Sequence, residues 1–139
     1  MEPKDLKQGI IETADQYHFT AEEQWNQAVE LEPTDDESVY EFLRLVRAAL
    51  RFYARAYLVL DMVETDDEQD LEDLLEVVGE QQPEFAEFFR KNDVVNVLDE
   101  EVKFDFSRIF SVAESVRALL LQHSNELAAT LHDRFEEQA

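Results

Sequence analysis

The stretch from Arg44 to Leu60, Arg-Leu-Val-Arg-Ala-Ala-Leu-Arg-Phe-Tyr-Ala-Arg-Ala-Tyr-Leu-Val-Leu, holds neither Gly nor Pro and is apolar nearly all round. A surface helix carries one apolar stripe, whereas a helix apolar on most sides is buried among others. This stretch is therefore expected to be the central helix of the fold. Its only charged residues, Arg44, Arg47, Arg51 and Arg55, recur every three or four positions. At about 100° per residue they share an arc about 80° wide. Such a stripe suits either ion pairing with neighbouring acidic residues or capture of an anion, because the guanidinium fork matches both.

The rest of the chain reads as helices around this one. The 3–4 spacing of Leu6, Ile10, Ala14, Tyr17, Ala21, Trp25 and Ala28 predicts a first helix from about Lys4 to Leu31. Thr20-x-x-Glu23 is a capping-box pattern that could start a second helix within it. Glu32-Pro33 ends the element, since the residue before Pro is pushed out of the helical region. Thr34-Asp-Asp-Glu37 opens the central helix, expected to run about 30 residues to Glu64. Thr65-Asp-Asp-Glu68 repeats the start signal before Leu71, Leu74, Leu75 and Val78, and Gly79 is placed to end that helix. Pro83 opens a short helix to about Lys91, burying Phe85, Phe88 and Phe89. Asp93 to Lys103 is expected to be a turn or loop. A last helix from Asp105 or Ser107 to Phe135 carries Ile109, Val112, Val116, Leu119, Leu120, His123, Leu127 and Leu131 on its core stripe.

These elements predict an all-α protein, an antiparallel up-and-down bundle of four to five helices forming one domain over residues 1–139. Two Gly and three Pro supply too few turns for a β protein, which needs one roughly every 8–12 residues.

Charge narrows the function. Thirty-four acidic residues against twelve basic ones give a net charge of −22, which opposes general nucleic-acid binding through phosphate neutralisation. It fits a solvated acidic surface, a partner for a basic protein, or a nucleic-acid mimic. The absence of Cys removes disulfides, a thiolate nucleophile and Cys-based zinc sites. Glu-x-x-His, the di-iron bundle signature, does not occur, nor does a Gly-rich phosphate loop or an EF-hand loop, so no metal or cofactor is expected. No apolar run reaches the ~18 residues of a membrane span, and a soluble cytoplasmic protein is the expectation.

Trp25-Asn-Gln-Ala28-Val-Glu-Leu31, the Ala- and aromatic-rich Arg44–Leu60 stretch, and Asp70-Leu71-Glu-Asp-Leu74-Leu75 followed by Pro83-Glu-Phe85 together resemble the HEPN superfamily (higher eukaryotes and prokaryotes nucleotide-binding). The resemblance covers about Trp25 to Leu131 and implies a HEPN-like helical bundle. Many members are metal-independent ribonucleases or toxin components using an Arg, a spacer of four to six residues and a His. Others dimerise or scaffold without catalysis. Arg117-Ala-Leu-Leu-Leu-Gln-His123 has a spacer within that range, so the resemblance makes Arg117 and His123 the candidate catalytic pair. The family usually places a polar residue after the Arg, where this chain has Ala118. On a single helix, six residues set Arg117 and His123 about 120° apart, and His123 lies on the Leu120–Leu127 core face.

The expected function is a non-catalytic HEPN-like interaction module, forming a homodimer through Tyr40, Phe52, Tyr57 and Phe110 and accepting a basic protein partner. The alternatives are the ribonuclease and an acidic antitoxin or nucleic-acid mimic.

Overall fold

The computed structural model describes residues 3–99 and 105–136. They form six helices: α1 (Pro3–Glu30), α2 (Asp36–Leu60), α3 (Leu71–Gln81), α4 (Pro83–Lys91), α5 (Val94–Val97) and α6 (Phe106–Glu136). There is no strand among the described residues. The fold is an all-α bundle, with α2 at its centre against α1, α3 and α6. Thirteen residues of α2 are buried.

Residue pairs give the helix directions. Ile10 clusters with Leu60, and the Tyr17 ring lies 6.1 Å from Phe52, so α1 and α2 are antiparallel. Phe42 meets Phe106 at 4.7 Å, Arg117 bonds Tyr53, and Arg134 bonds the Leu60 carbonyl, so α2 and α6 run parallel. The short elements carry the chain back between α2 and α6: Phe85 lies against Tyr57, and Leu98 ends beside Arg47. The count is six helices rather than four to five, because Val94–Val97 is a single helical turn where a turn or loop was expected. The remainder of that expected loop, residues 100–104, lies outside the described residues.

Local chemistry sets the boundaries. α1 is continuous: Thr20 does not cap a new helix but donates its hydroxyl to the Gln16 carbonyl one turn back. The α2 cap shifts one residue from expectation. The Asp35 carboxylate accepts from the Ser38 amide while Ser38 Oγ accepts from the Asp35 amide. α2 stops at Leu60, not Glu64. The Val63 amide reaches back to the Leu58 carbonyl and the Met62 amide to Val59, with Met62 at φ 59°. This is a Schellman ending with Met in the left-handed position that usually holds Gly. The Thr65 start signal is not used either; Asp70 caps α3 through the Asp73 amide. Gly79 does not end α3. It is helical, and a Cβ there would come within 3.1 Å of the Ala86 Cβ. Close packing of α3 on α4 explains this Gly, rather than left-handed backbone.

Two buried clusters result. The large one joins all six helices around Phe42, Tyr53, Leu74, Phe85, Leu98 and Leu120. A small one at the far end joins Ile10, Ala14, Leu60 and Leu131.

Candidate functional site

The segment between α2 and α3 has no regular structure after Met62, so its carbonyls need partners from elsewhere. The Arg stripe supplies them. Arg55 donates to the Asp66 carbonyl at 2.9 Å and sits 3.2 Å from the Asp67 carboxylate. Arg51 donates to the carbonyls of Asp67 and Gln69. Arg47 forks onto the Glu72 carboxylate at 2.7 and 2.9 Å and also reaches the Leu98 carbonyl. These three side chains stitch the returning chain to α2 residue by residue, with the Arg55 side chain only 6% exposed. Arg44, further out, pairs with Glu41 on the same helix. Each of the four thus meets an acidic side chain or a backbone carbonyl of the same chain.

Arg117 and His123 lie on one helix but meet different neighbours. Arg117 turns to α1 and α2. Its Nε donates to the Tyr53 hydroxyl at 2.8 Å, and its terminal nitrogen to the Glu22 carboxylate at 2.7 Å. The guanidinium lies 5.0 Å from the Trp25 ring centroid and 5.3 Å from that of Tyr53, within cation–π range. The Tyr53 hydroxyl also donates to Glu22, closing a three-membered network. His123 turns to α4. Its ring is 4.7 Å from that of Phe85, and its nitrogens lie 3.5 and 3.6 Å from the carboxylates of Glu126 and Glu84. The structure does not bring the pair together within one chain.

The electrostatics of the Arg117 network follow from burial and pairing. Burial pushes the Tyr53 hydroxyl well above the usual tyrosine range, and its bond to Glu22 adds to that. Burial also raises Glu22, but the hydrogen bonds from Tyr53 and Arg117 outweigh it and hold the carboxyl below its ordinary value. Arg117 is held charged: burial opposes the charge, and Tyr53 and Glu22 more than restore it. Nearby, burial lowers His18 despite Asp15 and Glu22, and its Nε2 is buried without a hydrogen-bond partner. A guanidinium paired with Glu22 and close to two rings is not poised to grip a phosphate. Trp25, Glu22 and Tyr53 carried no signal as its partners in the sequence, because they lie 64 or more residues from Arg117.

A pH dependence follows. Tyr57, like Tyr53, is raised by burial and then by Asp61, to about 12. A folded pKa above the unfolded value gives stability that is complete below the unfolded tyrosine pKa of about 10 and is lost as pH rises through the folded value. The urea midpoint is expected to fall steadily between about pH 10 and 12. A midpoint flat across that window in wild-type protein would refute this account of the two hydroxyls.

Of the aromatic residues expected at a dimer face, Tyr57 is 3% exposed and packs on Phe85. Phe52 is half-buried against Tyr17, with the Arg55 guanidinium 5.7 Å away. Phe110 is half-buried among Trp25, Phe42 and Phe106. Tyr40 alone of the four is exposed, at 49%. No group of three His, Cys, Asp or Glu able to hold a metal occurs among the described residues. Among them, too, no helix is long and apolar enough to cross a membrane. No family model, curated protein or solved structure matches the chain.

Proposed function

We propose that the chain is a non-catalytic helical interaction module, HEPN-like in build, that receives a basic protein partner. The observation that carries this reading is the prior engagement of the candidate site side chains. Arg117 is committed to Glu22 and Tyr53, His123 rests on Phe85, and Arg47, Arg51 and Arg55 hold the returning chain. A ribonuclease of the resembled kind needs the Arg and His at one phosphate, whereas here they serve different helix contacts. The HEPN-like element rests on the sequence patterns, whose Trp25, Leu71, Leu74, Leu75 and Phe85 are core residues in this fold. The net charge of −22 favours cationic partners and disfavours anionic ones. It also opposes self-association, and of the expected dimer face Tyr57 is buried and Phe52 and Phe110 are half-buried within the chain. Light scattering at micromolar concentration is expected to give a monomer.

The catalytic alternative is tested directly. Purified protein in excess is expected to leave a fluorescent single-stranded RNA intact. His123→Ala is expected to lower stability by about 2 kcal/mol through the space it leaves beside Phe85. RNA cleavage lost in both His123→Ala and Arg117→Lys, in variants that remain folded, would replace the interaction reading with the ribonuclease.

A further inference from the structure

The tight approach of Gly79 to Ala86 gives the seam between α3 and α4 a floor of small residues. The edges of Leu75 and Phe89 and the 46%-exposed Val95 extend it into an apolar groove of about 570 Å³. One wall is acidic. Glu72, Glu76 and Glu80 line it, four residues apart on α3, so successive carboxylates step about 6 Å along one helix face. Glu72 is already engaged by Arg47. Glu76 and Glu80 are exposed and have no partner among the described residues.

We propose that this groove receives an amphipathic, cationic helix from a partner protein. Apolar residues of that helix lie on the Gly79–Ala86 floor and against Val95, and Lys or Arg residues one turn apart meet Glu76 and Glu80. The inference rests on the interaction-module reading and names its surface and partner class. Charge complementarity selects the occupant. An apolar floor alone would accept any hydrophobic segment, but a carboxylate row with one-turn spacing favours a helix whose cations repeat at the same interval. A second copy of this chain brings a net charge of −22 to the same wall, and an anionic ligand is repelled outright.

The test uses the full chain and a fluorescein-labelled 18-residue peptide of Leu and Lys, with Leu at helical spacing on one face, read by fluorescence anisotropy. Saturable one-to-one binding is expected, weakening as salt rises. Glu76→Lys combined with Glu80→Lys is expected to weaken it at least tenfold, and Val95→Lys at least fivefold. Glu23→Lys with Glu30→Lys, the same charge change on exposed positions of α1, is expected to leave affinity within twofold. Equal weakening by the two charge pairs shows that the peptide reads only total charge and overturns the proposal. So does a Val95→Lys variant that binds as wild type, absence of saturable binding, or light scattering in which wild type is a dimer and Val95→Lys a monomer. Saturable binding indifferent to every groove variant overturns the groove while leaving the module reading in place; RNA cleavage overturns that reading separately.

Discussion

Phe85→Ala is expected to destabilise the protein by about 4 kcal/mol, within the range of buried Phe-to-Ala changes. Phe85 is fully buried. Its ring joins three helices at once: Tyr57 of α2 at 5.2 Å, Phe89 of α4 at 5.8 Å and His123 of α6 at 4.7 Å. The cavity cannot close by moving one neighbour, because each neighbour is held by a different helix. Thermal unfolding should drop by about 10–15 °C for a domain of this size. Phe88→Ala, at a half-buried position one residue from Phe89, is expected to cost less than half as much. Equal losses for the two variants, measured by urea unfolding, would show that Phe85 is not the joint described.

The second large effect lies at Arg117. Arg117→Met retains much of the aliphatic stem but removes the guanidinium, and about 2–3 kcal/mol should be lost, from charged hydrogen bonds and ring stacking together. Glu22 is 42% exposed on its side chain, so water relieves the carboxylate left behind and the loss stays below that of a fully buried pair. Arg117→Lys is expected to recover less than half, because an ammonium lacks the planar fork that reaches the Tyr53 and Glu22 oxygens together beside the Trp25 ring. Combined with Glu22→Gln, Arg117→Met should lose less than the sum of the single changes. Strict additivity in that cycle would mean that the network does not act as a unit. Acid should erode the same contact. A carboxyl held below its unfolded pKa contributes stability above that pKa and loses it as pH falls through the folded value.

How much of this was legible in the sequence depends on the range of the signal. The apolar periodicity of Leu6 to Ala28 and of Ile109 to Leu131 placed α1 and α6 closely, since each is a local repeat. The burial of α2 followed from its composition alone. Start signals were weaker guides. Thr20, Thr34 and Thr65 all head a box pattern, yet the structure uses Asp35 and Asp70 as caps, because several short polar side chains in a row compete for the same amides. Gly79 read as a helix end, and only the position of Ala86, known once the chain is folded, makes it a packing residue. The Arg stripe was visible, and ion pairing was one of its two readings. The carbonyl partners were not, since backbone oxygens carry no sequence signature. Tyr57 looked available for a partner because nothing local indicated that Phe85 would cover it.

The parallel course of α2 and α6 has a consequence for how the chain is made. The ring that seals Phe42 belongs to Phe106, and the cation that caps the α2 carbonyl at Leu60 belongs to Arg134. During N-to-C synthesis α1 and α2 can pair early, but one face of the central helix waits for the last helix to emerge. Until then Phe42, Ala49, Leu50 and Tyr53 depend on the partial cover that α1 and α3 provide. Nascent chains stalled before Phe106 should therefore be the sticky species for this protein, and chaperone dependence should end abruptly when α6 is released.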